Sequence, residues 1–403
     1  MACKLIVAKM PIRGKERIAT VLYDKDEAIE LYIDDIGSKS VVNNIYVGYV
    51  QKVINGGFFV RYDGVNQGFL PIKKAKGAIF KTLKKTDEIK PGDELLVMAD
   101  AEPIKTKLTG LTAELSISGE TIVVCSGFNG IRFSSKLSAE QKKHLSDIFS
   151  GHDFKYGLII RTSSIQRSDD NLIDEAEKLC SRLDDIIRYG TARLQGSCLY
   201  NAGGIWIEKL KSCGADGVEK IITDVPEVYE ELTQYLQSTA GKNDICQFYT
   251  DDAIALYRLH NLSTLLERTL GEKVFLRSGA SLIIQQTEAF VCIDVNSSKA
   301  KCKKDDEEEF FKINLEAACE AARQIRLRQL SGTILIDFIN MNDASHKSEL
   351  IRALSEYTAV DPAGVRVVDI TPLGIMEVTR RKKHRSLRET MDSNRIENPC
   401  ALW

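Results

Sequence analysis

Two apolar runs in the last third of the chain, FVCIDVNSS (290–298) and TILIDFINMND (333–343), are each interrupted by an aspartate, with a helix-patterned segment between them. Runs this rich in β-branched residues suit fully buried strands, where a carboxylate without a partner is costly. Period two along a strand puts Asp294 and Asn296 on one face, and Asp337 breaks the second run in the same manner. If the strands are neighbours joined by the intervening helix, the two carboxylates converge at one edge of a sheet. Ionised carboxylates a few ångströms apart repel, so either one protonates or a cation sits between them. A hard divalent ion such as Mg²⁺ is the natural occupant, because it takes few carboxylates and keeps positions for water and phosphate oxygens. Such a site activates water and neutralises a scissile phosphate. Taken singly, each aspartate is better explained as a cap on a loop or turn. The repeated Ile-Asp context, on either side of a helix with a basic end, favours the paired reading.

The neighbouring segments supply the frame. SLIIQQ and EAFVCIDVN read as paired strands, and EEEFFKINLEAACEAARQIRLRQLSG reads as a long helix stopped at Gly332. Its acidic start and basic end suit the helix dipole. GTILIDFIN, SHKSELIRALSEYT and VRVVDIT then give strand, helix and strand, an α/β layer on a mixed sheet. At the other end of the chain, LIVAKM, RIATVLY and AIELYID are three strands separated by polar turns containing Gly14 and Asp24–Asp26. Alone they bury too little for a stable domain, so a partner is expected within residues 205–275. Residues 42–75 and the later PGDELLVMAD have the Gly-broken strands of a small β-barrel. Between 114 and 200 come the strands ETIVVC and YGLIIRT and the helix SAEQKKHLSDIF, which Ser138 and Gln141 open with capping-box spacing. The helix NLIDEAEKLCSRLDDIIRYG follows, with Leu172, Ala176, Leu179, Leu183 and Ile187 on one face and Gly190 at its end.

Composition excludes more than it selects. The net charge of −2 gives no bulk attraction to nucleic acid, so any RNA contact must be local. Charge is uneven, acidic in DDEEEF (305–310) and basic in RRKKHRSLR (380–388). No apolar run approaches the roughly 20 residues of a membrane-spanning helix. The opening MACKLIVAKMPIRGK, split by Lys4 and Lys9, reads as a strand rather than a signal peptide. Ten cysteines without a Cys-x-x-Cys spacing point to a reducing compartment, and a cytoplasmic location is expected. The five histidines include no His-x-x-x-His pair, which argues against a histidine-rich zinc site.

CIDVNSS, NLEAACEAARQIRLRQLSGTILIDFINM and ITPLGIMEVTRRK together resemble the catalytic region of the ribonuclease E/G family, almost without interruption from 279 to 383. The resemblance implies that Asp294 and Asp337 bind a catalytic Mg²⁺, with Mn²⁺ a workable substitute, and that Asn296 helps position the attack. It also implies an α+β multidomain fold. An RNase H-like subdomain would take residues 1–36 and 205–275, with an S1 (OB-fold) RNA-binding domain at 37–113 and a 5′-sensor region at 114–204. A DNase I-like α/β catalytic subdomain at 276–391 and a remnant of a zinc-link region at 392–403 would complete the chain.

The barrel segment carries its own signal. Gly48-Tyr49-Val50, Gly57-Phe58-Phe59-Val60 and Gly68-Phe69-Leu70-Pro71 follow the S1 pattern, in which exposed aromatic faces stack on single-stranded bases. Alternation sends Phe58 inward and leaves Phe59 and Phe69 outside. In the family that this chain resembles, the positions of Phe59, Phe69 and Lys107 contact RNA. Arg161 and Thr162, at the end of YGLIIRT, could make a phosphate pocket. Read without the resemblance, they are more economically a surface pair. The family's matching pair, with the positions of Gly119 and Val123 in ISGETIVV (117–124), binds a 5′-monophosphate. The basic run 380–388 suits either phosphate contacts or a solvated helix face, and only its Arg380 matches the family pattern.

Family members continue into a Cys-Pro-x-Cys motif shared around one zinc, whereas this chain has NPCALW, with Trp403 near the place of the second cysteine. Zinc is therefore not expected, the family's tetramer is in doubt, and a homodimer is the assembly left open. The function implied is an endoribonuclease acting on single-stranded, A/U-rich RNA with Mg²⁺, stimulated by a 5′-monophosphate, in RNA processing and decay. The alternatives are a non-catalytic S1-domain RNA-binding protein and a 3′-exonuclease.

Overall fold

The structure, a computed structural model, describes residues 3–37, 40–82, 84, 86–103, 107–134, 136–213, 217–239, 243–297 and 307–392. The zinc-link reading of 392–403, with Cys400 and Trp403, lies outside the described residues apart from Asp392. The described residues form two compact units, one within Met1–Ser38, Glu219–Glu230 and Asp244–Trp403, the other within Lys39–Val218 and Glu231–Asn243.

The first unit begins with an antiparallel meander, β1 (Cys3–Ile12), β2 (Lys15–Asp24) and β3 (Glu27–Asp35). Its first hairpin closes through Arg13 and Gly14, both left-handed at φ 49° and 78°, the backbone twist that a two-residue hairpin loop needs.

The second unit opens with β4 (Ile45–Ile54), β5 (Gly57–Arg61), β6 (Gln67–Pro71), β7 (Glu94–Ala101) and β8 (Thr109–Thr112). They run in the order β4-β5-β6-β8-β7, and pairing of β4 with β7 closes a five-stranded barrel in which only β6–β8 is parallel. This is an OB-type barrel. Val50, Val60, Leu70, Leu95, Val97 and Leu111 fill its interior. The alternate residues Ile45, Val47, Leu96 and Met98 face a second core, which is why β4 and β7 are apolar on both sides.

That second core belongs to β9 (Ser116–Ser118), β10 (Ile122–Cys125), β11 (Ile131–Phe133), α1 (Ala139–Phe149), β12 (Gly157–Ile160) and α2 (Asp169–Gly190). The four strands run in the order β11-β12-β10-β9. Ser138 and Gln141 form the reciprocal capping box of α1. The inward stripe of α2 is Leu172, Ala176, Leu179, Leu183 and Ile186. Ile186 replaces the expected Ile187, which lies at the edge of the core, because a three-residue step from Leu183 keeps to the face better here than a four-residue one. β13 (Cys198–Tyr200), which pairs with β4, and α3 (Ile205–Cys213) follow.

β14 (Val218–Thr223), α4 (Pro226–Thr239) and β15 (Cys246–Phe248) then extend the opening meander. The sheet order is β15-β14-β1-β2-β3, with β14 and β15 parallel. The three N-terminal strands thus find their partner at β14. Helices α5 (Leu256–Leu259) and α6 (Leu262–Leu270) cover this sheet with Leu256, Leu262 and Leu266.

The remaining elements of the first unit are β16 (Lys273–Phe275), β17 (Ser281–Gln286), β18 (Phe290–Asn296), α7 (Glu307–Leu327), β19 (Gly332–Asp337), α8 (Ala344–Thr358), β20 (Val365–Ile370), β21 (Ile375–Arg380) and α9 (Leu387–Asp392). The sheet runs β16-β17-β18-β19-β21-β20, parallel only between β18 and β19. Ala317, Ala318 and Ala321 of α7 are fully buried against it, and side chains this small let the helix approach closely. On its other side Arg326 donates to Glu30 of β3 at 2.8 Å. α7 ends at Leu327, short of the expected stop at Gly332. Gln329 takes the left-handed turn at φ 55°, and its Nε2 donates to the Arg326 carbonyl at 2.7 Å.

Candidate active site

Strand alternation sets the site. Along β18, Val291, Ile293 and Val295 are buried while Asp294 and Asn296 are exposed on the opposite face. Along β19, Ile334 and Ile336 are buried and Asp337 is exposed. The parallel register places Asp294 directly opposite Asp337, on backbones about 4.8 Å apart. Burial, and then the charge of Asp337, push the Asp294 carboxyl above its ordinary pKa. A cation between the two would relieve that repulsion.

Two residues that sequence reasoning passed over hold the loop beyond Asp337. Asn314, fully buried in α7, donates from Nδ2 to the Ile339 carbonyl at 2.8 Å and accepts the Ile339 N–H at 3.0 Å. The Glu307 carboxylate accepts the N–H of Asn342 at 2.8 Å and also that of Asp343, and Asp343 caps α8 by accepting the Ser345 N–H at 2.7 Å. A buried asparagine three residues from an alanine run was the available signal.

The donor chemistry suits a hard cation. Among the described residues no group of three or more His, Cys, Asp or Glu side chains is gathered to hold a metal. An ion here would rest on Asp294 and Asp337 and complete its shell with water and phosphate oxygens, as Mg²⁺ does.

In the barrel, Phe58 is buried among the interior residues, whereas Phe59 and Phe69 are half-buried on the outside. The two face each other across β5 and β6, with ring centroids 5.7 Å apart and planes tilted by 57°. Gly57 permits this. A Cβ there would stand 2.3 Å from the Leu70 carbonyl oxygen and 2.9 Å from the Phe69 ring. Lys107 is exposed, two residues before Thr109, which pairs with Gly68.

Gly119, Val123, Arg161 and Thr162 lie in or next to the strands β9, β10 and β12 of one sheet. Val123 pairs with Ile159 and Ser118, and Arg161 and Thr162 follow β12. Arg161 donates through Nη1 to the carbonyls of Gly119 at 3.3 Å and Lys211 at 3.0 Å, and burial lowers its pKa. Sequence reasoning missed Glu175, which accepts the Thr121 N–H at 3.0 Å and lies so close that a Cβ on Gly119 would meet it at 2.1 Å. It also missed Lys211, whose pKa falls to about 8 through burial and then the charges of Arg182 and Arg161.

The basic run is not one helix face, because β21 ends at Arg380 and α9 begins only at Leu387. Arg380 is buried, with Nε donating to Asp361 at 2.7 Å and Nη2 to Gln329 at 3.1 Å. His384 and Ser386 are buried as well. Arg380 therefore ties β21 to the turn after α7.

A family model described as the Ribonuclease E/G family matches residues 116–383. The chain belongs to the ribonuclease E/G family. It is 27% identical over 393 residues to ribonuclease E of Escherichia coli, an overlap covering 93% of this chain and 37% of that protein. It is 29% identical to a putative ribonuclease E of Buchnera aphidicola, covering 91% of this chain and 92% of the relative. It is 24% identical to ribonuclease G of Salmonella typhimurium, covering 97% and 82%. The chain thus spans well under half the length of the Escherichia coli relative. The ribonuclease E/G match takes in the aspartate pair, Asn296 and the Gly119 to Thr162 group, and the barrel lies in the longer overlaps with the relatives. Among the described residues no helix is long and apolar enough to cross a membrane.

Proposed function

We propose that this chain is a Mg²⁺-dependent endoribonuclease that hydrolyses single-stranded, A/U-rich RNA in RNA processing and decay in the cytoplasm, and is stimulated by a 5′-monophosphate. The observation that carries the reading is Asp294 opposite Asp337 in a chain of this family. Mg²⁺, or Mn²⁺ in its place, supplies charge neutralisation at the scissile phosphate and an acidified water when bound. Asp294 and Asp337 hold it, and Asn296, on the same strand face as Asp294, orients the attack with its side-chain amide. Asn314 and Glu307 keep the loop after Asp337 from shifting. Phe59 and Phe69 stack on bases with little regard to sequence, and Lys107 meets the phosphate backbone. Arg161, Thr162, Gly119 and Val123 receive the 5′-monophosphate.

The subdomain assignment belongs to the same proposal, with the boundaries 1–36 and 205–275, 37–113, 114–204 and 276–391. The meander continued by a parallel pair supports the RNase H-like assignment. The mixed six-stranded sheet with α7 and α8 supports the DNase I-like one. A homodimer is the assembly proposed, resting on surfaces other than a zinc link.

The test is a gel of a defined, end-labelled RNA with and without Mg²⁺. Internal cuts that need the metal support the reading. Binding without cutting would make the chain an RNA-binding protein only, and a ladder from the 3′ end would make it an exonuclease.

A further inference from the structure

Away from the aspartate pair, the first unit contains a small cavity lined by Thr269, Ile284, Gln286, Arg328, Leu387 and Arg388. It has about 20 Å³ of free space, above the roughly 10–15 Å³ that one water requires. Gln286 lies three residues beyond Ile283, the residue opposite Asp294, so the cavity is roughly 10 Å along the strand from the carboxylate register.

Its chemistry is one-sided. Arg328 is only 6% exposed. Its Nε donates to Gln324 Oε1 at 2.5 Å and its Nη1 to the Gly271 carbonyl at 2.6 Å, both neutral acceptors. Its Nη2 is buried without a hydrogen-bond partner. No carboxylate of the described residues forms an ion pair with it, since Glu320 is taken by Arg323 and Gln324. Burial lowers the Arg328 pKa to about 10, which still leaves a full positive charge at neutral pH. A buried cation with neutral partners and an idle donor is expensive. A water could accept from Nη2 but would not neutralise the charge.

A second guanidinium stands at the mouth. Arg388 is half exposed and held only loosely, 3.6 Å from Glu272. Gln286 has its Oε1 occupied by the Ser386 hydroxyl at 2.9 Å, which leaves its amide N–H groups as donors. The idle Nη2 of Arg328, the Arg388 guanidinium and the Gln286 side chain belong to residues that line this one small cavity, beside Ile284 and Leu387. Guanidinium forks match tetrahedral oxyanions with parallel charge-assisted hydrogen bonds.

We propose that this cavity is a binding site for a small, free, phosphate-type oxyanion, held between Arg328 and Arg388 and separate from the aspartate pair. An anion seated there would join the end of α7, the Gly271 turn and α9, so binding should also raise thermal stability.

The probe is inorganic phosphate, titrated calorimetrically into the whole chain in metal-free buffer at constant ionic strength. An Arg161→Ala background removes the proposed 5′-phosphate pocket. One phosphate per chain is expected, with binding about tenfold weaker in Arg388→Gln and lost in Arg328→Gln. If Arg328→Gln fails to fold, Arg388→Gln and Gln286→Leu carry the test, because both lie at the rim. Absence of phosphate binding, or binding undiminished in the rim variants, would overturn the proposal. Displacement of the phosphate by a hydroxyl-ended oligonucleotide, only when both arginines are intact, would also overturn it in favour of an RNA ligand.

Discussion

Asn314 and Ile339 exchange two hydrogen bonds, side-chain amide to backbone, from the middle of α7 to the second residue past Asp337. Asn314 has no exposure to solvent, so its removal leaves the half-buried Ile339 N–H and C=O without their partner. Asn314→Leu should cost about 2 kcal/mol or more and raise the Mg²⁺ concentration needed for half-maximal cleavage, with RNA affinity unchanged. Denaturant unfolding and a Mg²⁺ titration of cleavage check this. An unchanged metal requirement would make Asn314 a packing residue only.

The repulsion between Asp294 and Asp337 has a stability signature. Because the Asp294 carboxyl is raised above its ordinary pKa, folding favours its protonated form. The penalty is present above the raised pKa and disappears as pH falls below the ordinary carboxylate value. In metal-free buffer at neutral pH, Asp294→Asn should therefore raise the unfolding free energy by roughly a few tenths of a kcal/mol given its solvent screening, with a slightly higher Tm. The gain should vanish in acid. Calorimetry at the two pH values measures it, and a destabilised variant at neutral pH would contradict it.

This pair was legible in the sequence because the same Ile-Asp context interrupts two apolar runs, although the strands prove to be buried on one face only and carry both carboxylates on the exposed face. The barrel was legible for a related reason, since Gly57 and Gly68 mark close backbone approaches that no side chain could share. What stayed hidden depends on distant partners. Arg380 looks like part of a basic surface until Asp361 is found beside it. Gln329 turns left-handed where a glycine was expected three residues later, because its side chain bonds back to Arg326. Glu175 lies far in sequence from the Gly119 it crowds, and no local pattern announces that.

The two outward phenylalanines should divide from their inward neighbour. Phe59→Ala or Phe69→Ala should weaken single-stranded RNA binding by about 1–3 kcal/mol, with little change in Tm. The double variant should lose less than the sum, because the rings lie 5.7 Å apart and share a stacking surface. Phe58→Ala should instead destabilise the fold, by about 3–5 kcal/mol. Fluorescence anisotropy and thermal melts separate the two behaviours.

Arg161→Ala should slow cleavage of 5′-monophosphorylated RNA well beyond its effect on 5′-hydroxyl RNA. Arg161 also ties the carbonyls of Gly119 and Lys211, so some loss of stability is expected for both substrates. The ratio of the two rates is therefore the measurement. An unchanged ratio would leave Arg161 a structural tie.

The most direct test is cleavage and binding measured side by side in Asp294→Asn, Asp337→Asn and the double variant, using one end-labelled RNA with saturating Mg²⁺. Both single variants should lose internal cleavage while binding RNA almost as the parent does. The double variant should be no worse than either, because residues that act as one unit do not add. Parent-like cleavage by either single variant would contradict the assignment of this aspartate pair as the catalytic centre.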